Sequence, residues 1–133
     1  KAGIGVYFKE NDKRNVSKRI NGKQTNNTAE LSAVIEVFTV LKNEIKQGKN
    51  VTIYTDSEYV IRCCTSYGEK CHTSNWKKTK GEIPNVELVK ELYTLYKKYN
   101  NVKVEWIRAH TNLSDDLSKG NDGADRLANM SIL

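Results

Sequence analysis

The chain has 133 residues, 38% of them hydrophobic and 29% charged, and carries a net charge of +6 from 22 Lys and Arg against 16 Asp and Glu. That length suits one domain with its own core. No apolar run approaches the ~20 residues of a membrane-spanning helix, and no stretch resembles a signal peptide. The basic balance suits an anionic partner without selecting one.

In chain order, Ala2 to Phe8 is rich in Gly, Val, Ile and aromatics and reads as a strand. A turn at Glu10 to Lys13 returns it through Val16 to Ile20, forming a hairpin. Leu31, Val34, Ile35, Phe38, Leu41 and Ile45 then recur at spacings of three and four, predicting one long helix from about Thr28 to Lys46. Asn27 with Glu30 three residues later has the form of a capping box, and Gly48 is a C-terminal stop. Val51 to Thr55 is a short apolar strand of the kind buried on both faces.

Glu58 to Tyr67 predicts a helix ended by Gly68, followed by a polar, basic segment from Lys70 to Gly81 around Trp76. Asn85 can cap another helix, whose apolar side holds Leu88, Val89, Leu92, Leu95, Tyr96 and Tyr99. Val102 to Ile107 alternates as a strand, and a polar loop from His110 to Gly120 leads to a last helix from about Asn121. Helices interleaved with strands imply an α/β domain, a mixed sheet covered on its faces. No repeat or linker divides residues 1–133, so one domain is expected.

Three cysteines, Cys63, Cys64 and Cys71, are an odd number and suit free thiols in a reducing, intracellular compartment, cytoplasm or nucleus. Cys71-His72 lacks the second ligand arm of a zinc site. Carboxylates at element ends are the more telling pattern. Asp56 ends an apolar strand, Glu30 opens the long helix and Asp125 opens the last one. Each has a bland role, since acidic residues favour helix N-termini. Gathered at one end of a sheet, however, they would repel one another and require hard cations such as Mg²⁺ or Mn²⁺.

TNNTAEL (Thr25 to Leu31), YTDSEYV (Tyr54 to Val60), NWKK (Asn75 to Lys78), WIRAHT (Trp106 to Thr111) and GNDGADRLA (Gly120 to Ala128) together resemble type 1 ribonuclease H. They occur in that family's order and span nearly the whole chain. The resemblance implies a ribonuclease-H-like mixed sheet flanked by helices on both faces. It also implies an endonuclease that cuts the RNA strand of RNA·DNA hybrids with two divalent ions, Mg²⁺ or in its place Mn²⁺.

On this resemblance Glu30, Asp56 and Asp125 match the metal-binding carboxylates, and His110 matches a loop histidine associated with proton transfer or product departure. Asn26 and Asn27 match the pair that reads the minor groove, where RNA is told from DNA by its hydroxyls. Lys23, Thr25 and Asn85 match a pocket for a DNA-strand phosphate, and Trp76, Lys77 and Lys78 match a basic protrusion along the backbone.

Four departures stand out. The family's first strand, which ends in Asp-Gly and supplies a further metal-binding aspartate, has no counterpart before AGIGVYF. We expect it upstream of Lys1 or from another segment, in a monomer or a domain of a larger polypeptide. The basic protrusion lacks its second Trp. The loop after His110 is longer and carries Asp115 and Asp116. Glu58 stands where the family often has a glutamine. The competing expectations are a catalytically impaired nucleic-acid-binding or structural module, the ribonuclease H domain of a reverse transcriptase, and a nuclease or integrase of the same fold acting on DNA.

Overall fold

The structure is a computed structural model and describes residues 3–6, 13, 16–19, 25–77, 81–108 and 124. Lys23, Lys78, His110, Asp115, Asp116 and Asp125 lie outside the described residues, as does the expected last helix apart from the helical Ala124.

Strands β1 (Gly3–Val6) and β2 (Val16–Arg19) pair antiparallel, with Gly3 opposite Arg19 and Val6 opposite Val16. Strands β3 (Val51–Thr55) and β4 (Val102–Trp106) pair parallel, from Val51 opposite Val102 to Thr55 opposite Trp106. A parallel pair needs a long crossover, and three helices supply it. Among the described residues the two ladders are separate two-stranded sheets.

The long helix is broken into α1 (Asn26–Val40) and α2 (Lys42–Lys46) at Leu41, which leaves helical geometry at φ −99°, ψ 21°. The apolar stripe survives the break, because Leu41 and Ile45 are buried with Leu31, Val34 and Phe38. Gly48 ends α2 as expected. At φ +85° it lets the Gly48 N–H donate to Ile45 O and the Lys49 N–H to Glu44 O, the pair of bonds of a Schellman motif. The Asn101 carboxamide then donates to Ile45 O at 3.0 Å and Lys49 O at 2.7 Å, tying the start of β4 to this turn.

Strand β3 is covered on one face, not both. Ile53 is 7% exposed whereas Tyr54 is 43% exposed, and Thr52 is also exposed. The pleat sends alternate side chains to opposite faces, so the register sets Thr52 and Tyr54 beside Lys103 and Glu105, both exposed. Ile53 and Val102 face the helices instead and join the core.

The expected helix ending at Gly68 is two helices, α3 (Glu58–Cys64) and α4 (Ser66–Thr73), divided at Thr65. Gly68 lies inside α4 and is buried. A Cβ there would come within 2.0 Å of Cys63 O and 2.5 Å of the Tyr93 ring. This glycine therefore marks the close approach of α5 (Val86–Lys98) to the α3–α4 corner, not a helix end. The core runs from α1 and α2 through Val60, Cys63 and Cys64 of α3 to Val89 and Leu92 of α5. No helix among the described residues is long and apolar enough to cross a membrane.

Candidate active site

Helix α1 is capped by Thr25, not by Asn27. The Thr25 hydroxyl accepts from the Thr28 N–H at 3.1 Å, and the Thr28 hydroxyl accepts from the Thr25 N–H at 2.9 Å. This reciprocal box does the work expected of Asn27 and Glu30. The helix consequently starts at Asn26, two residues before the expected Thr28, and Glu30, half-buried, lies beyond the first turn. Asn26 and Asn27 are exposed in that first turn, close to backbone N–H groups that favour anions.

The second carboxylate is relieved of capping in the same way. At the β3–α3 junction the Ser57 hydroxyl accepts from the Val60 N–H at 3.1 Å and caps α3. The Asp56 side chain takes no part in that cap. The turn around it is held at three residues: the Ile107 N–H donates to Thr55 O at 2.9 Å, the Ser57 N–H to the Thr55 hydroxyl at 3.1 Å, and the Trp106 indole to Asp56 O at 3.2 Å. Asp56 itself is half-buried. A carboxylate fixed at a strand end by its neighbours' bonds suits a ligand whose geometry must not drift.

Glu30 and Asp56 thus stand on α1 and at the start of α3, helices that pack against each other. Among the described residues no group of three or more His, Cys, Asp or Glu side chains is gathered for a metal. The chemistry of the donor set fits Mg²⁺ or Mn²⁺: two hard oxygen donors, neither hydrogen-bonded to a described residue.

Asn85 occupies the cap position of α5 in a left-handed conformation (φ 57°) but makes no side-chain cap bond. Burial pushes the Tyr59 phenol above its ordinary pKa, an effect that Asn85 partly offsets. Trp76 is half-buried and Lys77 exposed, just beyond α4. Glu58 is exposed in the first turn of α3, where the helix dipole favours a negative charge.

The sequence motifs do not reveal Trp106 as a support of the site. Trp106 falls within a quoted motif, but its partner is a backbone carbonyl fifty residues away, invisible to any local pattern.

The RNase H family model matches residues 1–132. The chain belongs to the RNase H family. Among curated relatives, the Acanthamoeba polyphaga mimivirus protein named "Probable ribonuclease H" is 34% identical over 130 residues, covering 96% of this chain and 56% of that protein. Ribonuclease H of Orientia tsutsugamushi is 37% identical over 129 residues, covering 95% of this chain and 70% of that protein. The chain therefore spans just over half of the first relative's length and about two-thirds of the second's. Among solved structures, prototype foamy virus protease-reverse transcriptase aligns with a TM-score of 0.70 at 20% identity, over 97% of this chain and 17% of that one. The α/β ribonuclease-H-like fold predicted from the motifs is the fold of this RNase H family member.

Proposed function

We propose that this RNase H family chain hydrolyses the RNA strand of RNA·DNA hybrids, with two divalent ions held by Glu30, Asp56 and Asp125. When bound, such a pair of ions activates the attacking water and stabilises the departing oxygen of the phosphodiester. Among the described carboxylates, Asp56 stands at the β3–α3 junction and Glu30 on α1. His110 assists proton transfer or product departure. The products carry a 5′-phosphate and a 3′-hydroxyl.

Substrate is held by several groups. Asn26 and Asn27, exposed at the start of α1, read the minor groove. Lys23, Thr25 and Asn85 take a DNA-strand phosphate. Trp76, Lys77 and Lys78 follow the backbone. The three free thiols suit a reducing compartment, cytoplasm or nucleus, and the domain acts as a monomer or within a larger polypeptide.

One observation carries the reading. At both described carboxylates a neighbouring hydroxyl does the capping, Thr25 and Thr28 beside Glu30 and Ser57 beside Asp56, so capping does not account for either acid. The experiment is incubation of the protein with labelled hybrid, duplex DNA and duplex RNA in Mg²⁺ and in Mn²⁺. Cleavage confined to the RNA of the hybrid, and lost in Asp56→Asn, supports it. Binding without cleavage points to an impaired module, and cleavage of duplex DNA points to a DNA nuclease of this fold.

A further inference from the structure

Just beyond α4 the backbone turns through two consecutive left-handed residues, Asn75 (φ 57°) and Trp76 (φ 60°). The first is explained by the helix end. The Asn75 N–H donates to His72 O at 2.9 Å and the Trp76 N–H to Cys71 O at 2.7 Å, a Schellman motif in which Asn tolerates the left-handed position. Trp76 has no such excuse, because a bulky residue at positive φ is strained unless its surroundings hold it there.

The surroundings are three side chains that no sequence motif connects. The Tyr93 ring of α5 meets Trp76 edge-on at 5.9 Å between centroids, and His72 meets Trp76 edge-on at 6.3 Å. His72 also lies against Tyr93 at 5.6 Å. Tyr93 is 5% exposed; its ring fits under α4 because Gly68 has no side chain, and its hydroxyl donates to the Glu69 carboxylate. Edge-to-face contacts of this kind fix ring orientation as well as burying area.

We infer that Tyr93, locked by Glu69, is a positioning residue that holds the Trp76 indole where it meets nucleic acid. The inference rests on the proposed contact of Trp76 with the hybrid and extends it to residues that touch no substrate. Glu69 acts through Tyr93, and Tyr93 through ring contact with Trp76. A negative charge near a basic strip is unfavourable for binding by itself, so removal of Glu69 would strengthen binding if its charge were all that mattered. Loss of positioning predicts the opposite sign.

The test measures hybrid affinity by fluorescence anisotropy in EDTA, where nothing is cut, and KM and kcat in Mg²⁺. Trp76→Ala is expected to weaken binding about five- to hundredfold, the range of one lost stacking contact. Glu69→Ala should weaken it about two- to tenfold, raise KM to match, leave kcat unchanged and make Trp76 fluorescence more open to acrylamide quenching. Glu69→Gln, whose amide oxygen still accepts from Tyr93, should recover the parent values. Unchanged or tighter binding by Glu69→Ala alongside weakened Trp76→Ala overturns the inference. So does a Trp76→Ala protein that binds like the parent, since there is then nothing to position. Failure of the parent itself to bind hybrid would instead defeat the proposed function.

Discussion

The Trp106 indole donates to the backbone carbonyl of Asp56 at 3.2 Å, so the end of β4 holds the residue that follows β3. The ladder runs up to this point, with Thr55 opposite Trp106, and the indole continues it by one side-chain bond. Trp106 is 47% exposed. Trp106→Phe keeps an aromatic ring, though a smaller one, and removes that bond. It should lower stability by about 0.5–1.5 kcal/mol in urea unfolding. It should also raise the Mg²⁺ concentration for half-maximal cleavage by about two- to tenfold, because Asp56 is then less well fixed. An unchanged Mg²⁺ dependence would make Trp106 merely structural.

Capping and ligation separate cleanly by mutation. Thr25→Ala and Ser57→Ala each remove an observed cap bond and should cost about 1 kcal/mol in stability. Glu30→Gln, half-buried and outside the box, should leave stability within about 0.5 kcal/mol while abolishing cleavage. Urea unfolding of the three proteins, set beside their cleavage rates, checks the division. A Glu30→Gln protein as destabilised as Thr25→Ala would return Glu30 to a structural role.

Gly68→Ala should be among the most damaging single-methyl changes in the chain. Its Cβ would stand 2.0 Å from a backbone oxygen of α3, which cannot give way without moving the helix. Overpacking of this kind costs about 1–3 kcal/mol and sometimes more. Thermal unfolding of the variant checks it, and a parent-like midpoint would refute the close approach.

These sites show where the sequence was informative. The apolar periodicity of α1 and α5, the alternation of β4 and the stop at Gly48 were legible because each is set by local spacing or a local dihedral. The caps were misread by two residues: Asn27 and Glu30 match a capping box as well as Thr25 and Thr28 do, and only the bonds decide between them. Gly68 was misread as a terminator because the reason for it, the Tyr93 ring, lies on another helix. Tyr93 is not on the apolar side that the spacing of α5 picks out, yet it is buried because its ring fits against Gly68 of α4. In β3 the apolar run suggested two covered faces, but a five-residue strand with Thr at its second position alternates. Whether the carboxylates meet depends on tertiary packing, which no spacing within one element specifies.

The buried thiols and phenols predict an alkaline limit to stability. Burial pushes Cys63 from 9.0 up to about 11 and Cys64 up to about 12. The hydrogen bond to Glu69, with burial, pushes Tyr93 from 10.0 up to about 12. A group whose folded pKa is raised gives stability that is fully present below its unfolded value and lost as pH climbs through the folded one. The urea midpoint should therefore show no loss from these groups up to about pH 9 and fall between about pH 9 and 12. A midpoint that rises across that window would contradict the assignment. At pH 8 the two α3 thiols should also label far more slowly in the native protein than in denaturant, since a shift of two units lowers the thiolate fraction about a hundredfold.

The most direct test is the rate of RNA cleavage in a labelled RNA·DNA hybrid by the parent protein and Asp56→Asn, at equal concentration in Mg²⁺. Cleavage by the parent that falls by about a hundredfold or more in Asp56→Asn, with binding and urea midpoint kept, is the predicted result. Equal rates for the two proteins would contradict the assignment of Asp56 to the metal site.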